Sequence, residues 1–172
     1  MAGKLVQVAT TTVSSATASV TLTGIDSDDV YMVAVNNVTF SADKVLFIKF
    51  TESGTPNSTS NYDRAGKGLR TTSSFYNNSA TNASVGYFSP SRLEAGTGAN
   101  GIFYIYNANN SSEYTFITNE TVAFRESSQG LDVEGFQGGQ VFTVTSAVDG
   151  IYFYLESAAN FLTGTFTLYK VV

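Results

Sequence analysis

The chain has 172 residues, 13% of them charged, with a net charge of −5 and a pI near 4.5. It contains no cysteine and no histidine, which excludes disulfides, thiolate metal sites and imidazole general bases. Its nine Lys and Arg are scattered, so no basic stripe exists for nucleic acid, and no run approaches the 18 or so apolar residues of a membrane helix.

Thirteen Phe, ten Tyr and many β-branched residues favour sheet. No window holds a 3.6-residue period, so no helix longer than a turn or two is expected. Alternation predicts a first strand over residues 4–11, around Val6 and Val8, and a second over 18–23, around Val20 and Leu22. An acidic turn follows at 24–29. Residues 30–40 and 45–51 are rich in β formers and flank a turn at 41–44, the strongest hairpin signal in the chain. Gly54 and Pro56 open a polar surface loop over 52–67. Weaker strands are expected at 69–76 and 84–89 around a polar run at 77–82, with a second loop at 91–101. Strands follow at 102–106, 114–118 and 121–125, the last two also readable as one strand with a bulge. After a glycine-punctuated stretch, 129–139, a final hairpin is expected from 141–145 and 151–155 about Asp149-Gly150.

The chain closes on 161–172, where Phe166 and Leu168 point one way and Thr165, Thr167 and Tyr169 the other. A terminus inside such a pattern must dock beside strands made much earlier, or it would fray. Roughly ten short strands with frequent turns predict one all-β domain over 1–172, an antiparallel two-sheet β-sandwich.

Few residues suggest chemistry. Gly96-Thr97-Gly98-Ala99-Asn100-Gly101 spells a dinucleotide fingerprint, but a strand rather than a helix is expected after it. Asp26, Asp28 and Asp29 open like a calcium loop, yet Tyr31 and Asn37 stand where an EF-hand needs Gly and Glu. Asp132 and Glu134 could share a strand face, without any accompanying nucleophile or base. No catalytic residue, metal site or cofactor is therefore expected. The tyrosines are more informative. Tyr104 and Tyr106 alternate with Phe103 and Ile105, and Tyr152 and Tyr154 with Ile151, Phe153 and Leu155. Outward rows of Tyr serve as protein interfaces or sugar-stacking platforms, unless a loop covers them.

Residues 30–38, 46–51 and the following Glu52-Ser53-Gly54-Thr55, with Asn61-Tyr62-Asp63 beyond, resemble the start of a group of jelly-roll virion proteins of tailed bacteriophages. Those proteins typically end in Gly-x-Phe-x-Leu-Tyr, and Gly164, Phe166, Leu168 and Tyr169 stand in that pattern. Many of them place Gly after that Tyr; Lys170 stands there here. The resemblance implies a jelly roll and a virion role, as a capsid decoration (cement) protein or else a tail or head fibre module. It further implies the major capsid protein as partner, assembly as a homotrimer, and a place on the capsid surface after synthesis in the host cytoplasm. A carbohydrate-binding lectin-like module is the alternative from another class, with a glycan-cleaving enzyme a distant third.

Overall fold

The computed structural model describes residues 3–71, 75–126 and 131–172, and among them no helix occurs. The strands are β1 (Leu5–Val13), β2 (Ser19–Thr23), β3 (Tyr31–Phe40), β4 (Leu46–Glu52), β5 (Thr55–Pro56), β6 (Tyr62–Arg70), β7 (Tyr76–Ala83), β8 (Gly86–Tyr87), β9 (Ala99–Tyr106), β10 (Thr115–Arg125), β11 (Asp132–Phe142), β12 (Gly150–Leu155) and β13 (Phe161–Val171). They form an antiparallel sandwich. The large sheet runs β1-β13-β3-β9-β10-β11-β6-β7; the small one runs β2-β12-β4, with β5 and β8 both pairing to β4.

A jelly roll lies inside this order. Taking β1, β2, β3, β4, β8, β9, β12 and β13 as first to eighth, a 1-8-3-6 sheet faces a 2-7-4-5 sheet. The pairs β6–β7 and β10–β11 extend the large sheet beyond β9. As the alternation required, β13 docks between β1 and β3, with Phe166 and Leu168 fully buried. The layers are joined by aromatic rings. Phe103 of β9 meets Phe153 of β12 at 6.0 Å, and Phe153 meets Phe166 of β13 at 5.0 Å.

Both expected hairpins are overturned. β3 and β4 lie in different sheets, as do β11 and β12. The apolar faces of β3 and β4, carrying Val33 and Val35 on one and Leu46, Ile48 and Phe50 on the other, are buried inside the sandwich. Two adjacent strands of one sheet would place those faces side by side, whereas opposed sheets cover one with the other. Asp149 and Gly150 end a crossover instead of a two-residue turn. The Asp149 carboxylate accepts the Thr51 hydroxyl at 2.6 Å and the Gly54 N–H at 2.7 Å. A Cβ on Gly150 would sit 2.3 Å from the Leu22 carbonyl oxygen, so close passage between strands requires glycine there.

The polar segments also depart from expectation. The loop over 52–67 contains β5 and most of β6, and the polar run at 77–82 is the middle of β7. Neither strand carries apolar alternation; both form because β11 offers β6 a backbone edge over nine residue pairs, from Glu134↔Arg70 to Phe142↔Tyr62. Aromatic rings take the space of absent side chains. Tyr76 lies across Gly68, and Phe136 across Gly66, within 2.3 Å of where each Cβ would stand. Of the expected strand at 84–89 only Gly86–Tyr87 pairs, and the loop at 91–101 ends early, in β9. β10 is one unbroken strand without a bulge. Thr72–Ser74 of the expected strand at 69–76, and Gln129 and Gly130, lie outside the described residues.

Candidate functional site

The two tyrosine rows face opposite ways. In β12, Ile151, Phe153 and Leu155 point into the core, which turns Tyr152 and Tyr154 outward on the small sheet. Tyr154, Phe47 and Tyr87 occupy one cross-strand row over β12, β4 and β8. Their rings touch in sequence, Tyr154 to Phe47 at 5.4 Å and Phe47 to Tyr87 at 5.5 Å, with Tyr152 beside Tyr154 at 5.3 Å. Two cations close over the ends of the row. Lys49 Nζ lies 5.2 Å from the Tyr154 centroid and donates to Ser58 Oγ, and the Arg64 guanidinium lies 3.9 Å from that of Tyr87.

Burial, and then the neighbouring Tyr152 and Tyr87 hydroxyls, push the Tyr154 hydroxyl up to about 12. Burial pulls the Lys49 ammonium below its ordinary value. The ring faces of this row are largely spent on one another and on cations. That makes a rigid aromatic ridge suited to a protein surface, and leaves little open face for a sugar.

On the large sheet, Phe103 and Ile105 point inward and Ile102, Tyr104 and Tyr106 outward. Tyr104 is 40% exposed and touches no other ring among the described residues. Side by side across β3, β9, β10, β11 and β6 stand Ala34, Ile102, Glu120, Gln137 and Lys67. Two adjoining shallow clefts of about 420 and 590 Å³ open on this face, sharing Ile102, Glu120 and Gln137. The four tyrosines thus form two separate surfaces, with Tyr104 exposed and Tyr106, Tyr152 and Tyr154 half-buried.

Asp132 and Glu134 do share one face of β11, but it is the inner one. Glu134 accepts Arg70 Nε at 2.7 Å, Tyr76 Oη at 2.9 Å, Ser89 Oγ at 2.6 Å and Ser91 Oγ at 2.7 Å. Asp132 accepts Thr71 Oγ1 at 2.7 Å and pairs with Arg125 at 2.5 Å. Both carboxylates hold strands together. They are joined by a set that sequence reasoning missed: Gln140 bridges the N–H and carbonyl of Tyr87, and Thr121 donates to the Phe88 carbonyl. The available signal was that Thr115, Asn119 and Thr121 are polar on the buried face of β10, which otherwise carries Ile117 and Ala123.

The acidic turn has its own cation. Lys170 Nζ reaches Asp29 at 2.8 Å, Ser27 Oγ at 2.7 Å and Asp26 at 3.7 Å, while Tyr31 Oη donates to Asp26. The Gly-rich stretch over 96–101 enters β9, not a helix, with Gly96 in a left-handed turn at φ 72. No protein-family model matches the chain, and no curated protein matches its sequence.

Proposed function

We propose that the protein is a structural component of a bacteriophage virion, a capsid decoration protein that bridges neighbouring copies of the major capsid protein. The reading rests on the resemblance at both ends of the domain. What supports it is the setting of the terminal Gly-x-Phe-x-Leu-Tyr residues. Gly164 has φ 120 and packs so closely on Val38 that a Cβ would lie 2.6 Å from its Cα. Phe166 and Leu168 then fill the core from the strand between β1 and β3. Gly164, Phe166 and Leu168 of the motif thus each have a packing reason to be there, whereas Tyr169 is half-buried outside the core. The carboxylates are committed to strand pairing, and the rigid faces suit repeated weak contacts, whose strength comes from a lattice. Threefold assembly on the shell follows from the same resemblance, and no enzymatic step is part of this reading.

Copy number tests it. Quantitative mass spectrometry of purified virions should find the protein near parity with the major capsid protein. A few copies per particle would replace this reading with a tail or fibre module, and absence from the particle would overturn any virion role.

A further inference from the structure

We infer that the outward face of β9, β10, β11, β6 and β7 is a two-fold interface between copies of this chain. The face is apolar and poor in charge. Ile102, Tyr104, Phe116, Val122 and Leu69 are each between 37% and 47% exposed on it, a concentration of large apolar side chains that marks an interaction surface. Asp63 at one end is engaged by the Asn82 N–H. Glu120 and Lys67 belong to no ion pair among the described residues, though Gln137 donates to Glu120 at 3.2 Å and Lys67 Nζ lies 5.2 Å from the Phe75 ring.

Register makes this face complementary to itself. Glu120, Gln137 and Lys67 lie in one row across β10, β11 and β6, and Val122, Gly135 and Leu69 lie in the next. A two-fold axis running along β11, between two such faces, carries β10 of each copy over β6 of the other. Glu120 then stands above Lys67 of the partner subunit, twice, and Val122 above Leu69 of the partner subunit, twice. β11 meets β11 at the axis, where Gly135 and Gly139 raise no side chain, and a Cβ on either would find its nearest atom at 3.7 Å. Tyr104 reaches toward Ser79 of the partner subunit, the residue at the far end of its own row.

Sheets packed face to face sit about 10 Å apart, a gap that a Glu and a Lys side chain span together. Five strands of about eight residues cover roughly 600 Å² per copy, the lower end of specific interfaces. Sheet twist concentrates the match near the Gln137 row. Neutral or like-charged partners would leave Glu120 and Lys67 unmatched, which is why a second copy is the occupant this face favours. The contact does not depend on the decoration reading; on a shell it would join neighbouring caps across the two-fold between them.

Charge reversal tests the register on the free, full-length protein. Sedimentation equilibrium should show dimerisation in the micromolar range that weakens as salt rises. Glu120→Lys and Lys67→Glu should each weaken it roughly tenfold, because an attraction becomes a repulsion in two places. The double variant should restore it. As the chain has no cysteine, Gln137→Cys supplies a single reporter beside the axis, and a short bis-maleimide should link it into dimers. A protein that stays monomeric at high concentration, or an association of any order that is indifferent to both reversals, would overturn the proposal, whatever the copy number in virions.

Discussion

The two halves of the large sheet are covered in different ways, and their interiors differ accordingly. β1, β13, β3 and β9 lie against the small sheet, and the residues between the layers are apolar: Val33, Val35, Phe103, Ile105, Phe166 and Leu168 against Leu46, Ile48, Phe50, Ile151 and Phe153. Beyond β9 the small sheet does not continue as a regular ladder among the described residues. β10, β11 and β6 are capped by the irregular segment around β8, whose backbone groups lack a full ladder. Buried backbone polar groups need partners, and the facing strands supply them as Asn119, Thr121 and Gln140, while Glu134 accepts the Ser89 and Ser91 hydroxyls. Regular cover permits a dry core. Irregular cover demands a polar one, each member of which is costly to leave unpaired.

The largest expected difference between the halves comes from removing a strand. Deleting 166–172 takes the C-terminal half of β13 from between β1 and β3 and empties the Phe166 and Leu168 core positions, so the whole sandwich should fail to fold. A truncated protein that keeps a cooperative melt would show that the framework does not depend on its last strand.

An intermediate effect should be confined to the extension. Glu134→Ala leaves Arg70, Tyr76, Ser89 and Ser91 without their shared acceptor, at a cost of about 2–4 kcal/mol. Hydrogen exchange should rise in β6, β7 and β11 while the β3 and β13 amides stay protected. Equal loss of protection in both halves would show that the two interiors unfold as one.

The smallest effect belongs to the framework's rim. The hydrogen bond to Asp29 holds Lys170 above its ordinary value; the Tyr31 hydroxyl, then Lys170, holds Asp26 below its own, and Lys170 does so for Asp29. The carboxylates' share of stability is present above their unfolded pKa and lost as pH falls through the lower folded values. The Lys170 share is complete below its unfolded pKa and lost as pH rises through the higher folded one. The melting-temperature gap between wild type and Lys170→Ala should therefore be small, steady from about pH 5 to about pH 9, and should close below about pH 3. Calcium or EDTA should leave the wild-type melt unchanged, since an ammonium already sits among these acids. A gap independent of pH would remove the electrostatic explanation.

Much of the framework was legible in the residues, and the extension was not. Alternation in 151–155 told which side chains are buried, and so which tyrosines of β12 point outward, and in the last strand it found Phe166 and Leu168 but not the burial of Thr167 on the other face. The same reading failed over 62–70 and 76–83, where Gly, Asn and Ser carry no such pattern. It also could not tell that Tyr104 and Tyr152 lie on opposite faces, because outward is defined separately for each sheet.

The sequence by itself determined the class of fold, the faces of its stronger strands and the absence of thiol and imidazole chemistry. Tertiary structure alone decided which strands are neighbours, turned two expected hairpins into crossovers, and recruited polar segments as strands. The reason is physical. A strand's two faces are written in side chains with a period of two, but its edges are backbone, nearly the same for every residue. Pairing is therefore chosen by how the whole chain buries its apolar faces and satisfies its polar groups.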